Sequence, residues 1–218
     1  MDRFARVFFF PSIVVTLLLV CVTPAFADVI VYTQPPTLNG SGGASQSDIG
    51  AITYDDFQIY QTTPMYLDDV EWFGLYSTGG HITGWTISLY ADNAGQPGGL
   101  LWSRNFSVAY PGYLESCNLP HGMCAYDMDN IVLGYTLLPS TTYWLSVVSD
   151  LPLPSQWFWG TGITGDGLAY QDLHGFRTPL TANLAFNLQG VPVPEPGSLL
   201  LLGIGILGLA GTLRRKLF

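Results

Sequence analysis

The chain has 218 residues, 48% hydrophobic and only 11% charged, with 25 glycines, 15 prolines and 14% aromatics. An ordinary soluble domain is about 25% charged, so this turn-rich, aromatic mixture excludes helical bundles, coiled coils and acidic disordered tails. Residues 28–194 hold 14 acids against two bases, Arg104 and Arg177, a net charge of −12 that repels phosphate backbones and excludes nucleic acid as a partner.

Residues 1–27 have the layout of a signal peptide. Arg3 and Arg6 form a positive start, 7–22 is an apolar run broken only by Pro11, Ser12 and Thr16, and Ala25 and Ala27 are the small residues at which a signal peptidase cuts before Asp28. The alternative is an uncleaved membrane helix. A lipoprotein signal fits poorly, because Val20 precedes Cys21 where such a signal needs a small residue.

From Asp28 onward the pattern is that of strands. Trp85, Ile87 and Leu89 alternate with Thr86, Ser88 and Tyr90, and Tyr143, Leu145 and Val147 alternate with Trp144, Ser146 and Val148. Val70, Trp72 and Gly74 alternate less cleanly with Glu71, Phe73 and Leu75. Further strands are predicted at 29–33, 100–108, 131–137, 156–159 and 183–188. Turn chemistry separates them: 91–99 offers an Asx turn and a proline to stop pairing, and 39–43 is a glycine-rich flexible connection. Short strands, Gly/Pro turns and no helical period predict one all-β domain over 28–190, a jelly-roll-like β-sandwich. The stretches Asp55-Asp56-Phe57, Trp72-Phe73-Gly74-Leu75-Tyr76, 87–90 with Pro97-Gly98, and Thr142-Tyr143-Trp144-Leu145 are similar to β-sandwich domains of surface-anchored bacterial proteins. That likeness implies a fold and a location, not an activity.

Within this domain Cys117 and Cys124 flank a six-residue turn, and an oxidising compartment favours a disulfide between them. A metal site on Cys117, His121 and Cys124 is the alternative, with no fourth ligand nearby to complete it. Carboxylates gather at Asp55 and Asp56, at Asp68, Asp69 and Glu71, and at Asp127 and Asp129 beside Asn130. Hard oxygen ligands suit Ca²⁺, and the turn Asp127, Asp129, Asn130 is the candidate for it. None of the three clusters follows a calcium-loop pattern, however, and the favoured reading is solvated strand ends without a metal. A glycosidase needs two carboxyls at a set separation; nothing here selects a pair. No Gly-x-Ser-x-Gly elbow occurs, and His81, His121 and His174 stand alone, so no catalytic residue and no cofactor is assigned, Ca²⁺ aside. Trp157 and Trp159 share one face of a strand, where they either stack on a sugar or fill the core.

The tail is the most specific segment. Pro192, Pro194 and Pro196 keep the chain extended around Glu195. Residues 197–213 then carry no charge, and 17 residues at ~1.5 Å each make roughly 25 Å, near the lower limit for a transmembrane helix. Arg214, Arg215 and Lys216 follow, the cations that hold the 214–218 end in the cytoplasm. Pro194-Glu195-Pro196, a Gly- and Leu-rich helix and a terminal basic cluster together resemble the PEP-CTERM sorting signal of Gram-negative bacteria, with Leu217 and Phe218 trailing as a small departure. The resemblance assigns 191–218 to the signal. It implies an inner-membrane precursor, cleavage near the motif by an exosortase, and delivery to the cell surface or extracellular matrix. Such tails travel with exopolysaccharide production, which makes extracellular polysaccharide the implied partner. The alternative is a permanent anchor on a proline-rich stalk.

Overall fold

The alternation at 85–90 and 143–148 becomes two neighbouring strands in the computed structural model, which describes residues 28–76, 80–109, 111, 113–129, 131, 135–193 and 202–208. Fifteen strands lie among them: β1 (Val29–Gln34), β2 (Gly42–Ala44), β3 (Ala51–Phe57), β4 (Met65–Tyr76), β5 (Gly84–Asp92), β6 (Pro97–Ser107), β7 (Tyr113–Ser116), β8 (Cys124–Met128), β9 (Thr136–Leu137), β10 (Tyr143–Asp150), β11 (Trp157–Gly162), β12 (Ala169–Leu173), β13 (Phe176–Leu180), β14 (Asn183–Leu184) and β15 (Phe186–Pro192).

The strands make two antiparallel sheets. The first follows the order β1-β15-β4-β11-β14, with β2 on β11, β8 and β9 on β4, and β7 on β8. The second follows β13-β12-β3-β10-β5-β6. Their inner faces share one core, because period-two alternation gives each strand one apolar side to bury. Trp72 on β4 meets Trp85 on β5 edge to face at 4.9 Å, and Trp157 on β11 meets the same indole at 4.9 Å. Phe57 on β3 reaches Phe186 on β15 at 6.1 Å. Gly74 permits this packing: a Cβ there would stand 2.5 Å from the Trp157 ring.

The second sheet is buried on part of its outer face as well. Leu145 and Val147 of β10 point into the core, yet Trp144 and Ser146 on the opposite side are equally shielded. Trp144 packs edge-on against Tyr170 at 5.4 Å and donates its Nε1–H to Asp92 Oδ1 at 2.8 Å. Arg177 on β13 lies over the Tyr54 ring at 5.1 Å and donates from Nη1 to the Pro97 carbonyl at 2.6 Å. Because β13 and β6 are opposite edges of that sheet, this contact requires the tip of the β5–β6 hairpin to fold back over the outer face.

Several sequence expectations are corrected. The glycine-rich 39–43 is not merely a connection: Gly42 opens β2, and a Cβ there would stand 2.5 Å from the Trp159 carbonyl, so only glycine allows the strand so close. Pro97 does not stop pairing but begins β6, opposite Asp92. Of the strand expected at 131–137, the described residues give only β9. The strands β3, β7, β8, β12 and β13 were not anticipated. The segment 183–188 divides into β14 and β15, and β15 continues to Pro192 rather than ending with the domain at 190. Val193 N still donates to the Pro64 carbonyl at 3.0 Å.

Residues 202–208 are helical. Among the described residues no helix is long and apolar enough to cross a membrane. Ala25 and Ala27, the motif Pro194, Glu195 and Pro196, the basic cluster Arg214, Arg215 and Lys216, Asn130, and most of the expected span 197–213 lie outside the described residues. Asp28 is the first residue within them.

Candidate functional site

Trp157 and Trp159 fill the core. Both are fully buried; Trp157 packs on Trp85, and Trp159 donates Nε1–H to the Ala185 carbonyl at 2.9 Å. Neither indole presents a face to a sugar, which removes that pair as a carbohydrate platform. Their shared strand face points inward, as aromatic packing between the sheets requires.

Cys117 and Cys124 are joined in a disulfide that links the end of β7 to the start of β8. A bridged sulfur is no thiolate ligand, so the alternative metal site with His121 is set aside. His121 sits in the intervening turn at φ 58°, and it, His81 and His174 are all exposed.

The carboxylate clusters are not simply solvated. Asp55 is 1% exposed and its carboxyl accepts from Gln34 Nε2, from Leu184 N at 2.6 Å and from Asp56 N at 3.1 Å. Burial pushes its carboxyl well above the usual carboxylate range in spite of these donors. Asp56 is pushed up to about 6, first by burial and then by the charge of Asp166.

The second and third clusters merge across two strands. In the β4–β8 register Glu71 lies directly opposite Asp127, and Asp69, 8% exposed, stands diagonal to it. Gln189 Nε2 donates to Asp69 Oδ2 at 2.7 Å and Asn187 Nδ2 to Glu71 Oε2 at 2.6 Å. Asp69 Oδ1 and Asp127 Oδ1 are both buried without a hydrogen-bond donor. Burial first, and the neighbouring Asp127 carboxyl second, raise Asp69 to about 8. Burial likewise raises Glu71. Of the candidate calcium turn Asp127, Asp129 and Asn130, Asn130 lies outside the described residues. Asp127 faces β4, and the strand pairing, invisible in the sequence, makes the partnership with Asp69.

A groove of about 300 Å³ lies on the outer face of the second sheet, on the part that the β5–β6 tip leaves clear. Thr86, Ser88 and Tyr90 of β5, Ser103 of β6, Val148 of β10 and Ser47 of the 3-10 turn Ser47–Ile49 line it, and no charged residue does. Ser88 and Ser103 hydroxyls pair at 2.8 Å, and Asn105 Nδ2 donates to Thr86 Oγ1 at 3.0 Å. The sequence carried a signal for this surface. The outward positions Thr86, Ser88 and Tyr90 all bear hydroxyls, but nothing local reveals that Ser103 and Ser47 converge on them. A second cavity of about 440 Å³, between Asp92, Tyr135 and Tyr143, lies at one end of the sandwich.

Residues 192–216 match the PEP-CTERM protein-sorting motif. That motif marks an exported protein held in a membrane before processing, and it implies an exosortase as the processing partner. No curated protein matches the chain.

Proposed function

We propose that this chain is the precursor of a cell-surface or extracellular-matrix protein of a Gram-negative bacterium, whose jelly-roll-like β domain is released from the inner membrane by exosortase and serves a structural, exopolysaccharide-associated role. In this reading a signal peptidase trims residues 1–27 before Asp28, 197–213 is the temporary span, and Arg214, Arg215 and Lys216 hold its cytoplasmic end. The role is not enzymatic.

The observation that carries the reading is the meeting of domain and motif. Among the described residues the last strand, β15, ends at Pro192 and the last domain hydrogen bond comes from Val193, and the sorting motif begins at 192. A cut near Pro194-Glu195-Pro196 thus removes none of the fifteen described strands from the sandwich. Pro194 and Pro196 bias the residues before them towards extended backbone, the geometry in which peptide-cleaving enzymes bind their substrates. Glu195→Gln, or deletion of 214–216, is expected to leave full-length precursor in the inner membrane. Mass spectrometry of the C-terminus tests this, and material from the native host that still ends at Phe218 would refute it.

A second reading, a carbohydrate- or Ca²⁺-binding adhesion module, is favoured on its carbohydrate side by the uncharged groove over β5, β6 and β10. An extracellular hydrolase has no comparable support.

A further inference from the structure

We infer that the outer-face groove of the second sheet is a binding site for neutral saccharide, with Tyr90 as its stacking surface and Thr86, Ser88 and Ser103 as its hydrogen-bonding floor. The choice of ligand class follows from charge. The domain carries a net of −12 over residues 28–194, yet no charged side chain lines this groove. An anionic ligand would meet a repulsive field with no cation among the lining residues, and a cation would find hydroxyls with no carboxylate in the lining. A polyhydroxylated neutral chain matches on both counts, because each serine or threonine hydroxyl both donates and accepts.

The register builds the floor. Tyr54, Ser146, Ser88 and Ser103 form one cross-strand row over β3, β10, β5 and β6, and Val148, Thr86 and Asn105 form the next. Neighbouring strands stand ~4.8 Å apart, so the row is a ladder of hydroxyls at a spacing that sugar hydroxyls can follow. Tyr54 and Tyr90 lie on strands either side of β10, and their rings meet edge to face at 5.2 Å, so they arch over Ser146 between them. The Ser146 hydroxyl beneath is fully buried and has no hydrogen-bond partner. Roofed by the two rings and outside the groove lining, it lies beneath the site and is not a contact for the ligand.

The site rests on the proposed delivery to a polysaccharide-rich exterior only for where it meets its ligand. The test uses the full chain purified in detergent, with cellohexaose, mannohexaose and a hexagalacturonate as probes, read by calorimetric titration. Binding of at least one neutral hexasaccharide is expected, weakened tenfold or more by Tyr90→Ala and several-fold by the near-isosteric Thr86→Val, with the acidic probe unbound. Ser146→Ala, which removes an unpartnered hydroxyl beneath the rings, is expected to raise the melting temperature of the free protein and leave binding unchanged. Failure of both neutral probes to bind, wild-type affinity in both Tyr90→Ala and Thr86→Val, or preference for the acidic probe overturns the inference. Any of these with normal C-terminal trimming spares the sorting reading, whereas untrimmed chain that still binds the sugar spares the groove.

Discussion

Gln34 on β1 donates its side-chain amide to the buried carboxyl of Asp55 on β3, and so ties the first sheet to the second inside the sandwich. The same amide donates to the Leu184 carbonyl, while Leu184 N donates to Asp55 at 2.6 Å. One acid thus joins β1, β3 and β14 where apolar side chains alone would leave two buried N–H groups unpaired.

Asp55→Ala should therefore cost more than the lost side chain suggests. Each buried donor left without an acceptor costs about 1–3 kcal/mol, and two are orphaned, so a loss of roughly 3–4 kcal/mol is expected. Both donors share Oδ2, so Asp55→Asn, which keeps an acceptor oxygen there, should lose much less. Urea melts check this: the midpoint should fall at constant slope, since the surface exposed on unfolding is unchanged.

The acids of β3 and β4 predict an unusual pH dependence. Asp69 is raised to about 8 and Asp56 to about 6, with Asp55 and Glu71 raised as well. A carboxyl raised in the folded state holds a proton that the unfolded chain releases near pH 4. Its stabilisation is complete below that pH and is lost as pH rises through the folded value. The melting temperature should accordingly fall from pH 4 towards pH 8, the reverse of ordinary acid denaturation. Asp69→Asn should raise it at pH 8 and flatten the upper part of the slope. A melting temperature that climbs through this window would contradict the burial of these acids.

The Cys117–Cys124 bridge closes a short loop at the margin of the first sheet. Loop-closure entropy for so few residues is worth about 2–3 kcal/mol. The double replacement Cys117→Ser, Cys124→Ser should lower stability by at least about that amount, because Cys124 is buried in the same core as Trp72, Trp85 and Trp157, while the near-ultraviolet signal of those indoles, which pack on one another and on Tyr126, should persist. Loss of the tryptophan signal would mean that the bridge holds the core rather than the turn.

Parts of this molecule were legible residue by residue. Trp85, Ile87 and Leu89, and Leu145 and Val147, turn inward as their alternation requires, since strand geometry is local and side chains must take opposite faces. The disulfide was legible for the same reason: seven residues of separation and a turn between are enough. The strands β3 and β8 were not, because buried Asp55 and half-buried Asp127 break the polar-outside rule, and what offsets their burial sits on other strands.

The class of the fold and the sorting motif follow from neighbouring residues, because composition, period-two alternation and the order proline-glutamate-proline, apolar run, basic cluster are all local features. Tertiary structure alone decided that Trp157 and Trp159 belong to the core, that Asp127 faces Asp69, and that Thr86, Ser88, Tyr90 and Ser103 share a groove. Each of these depends on which strands pair and in what register, and residues far apart in the chain are brought together only when two sheets close over a common core.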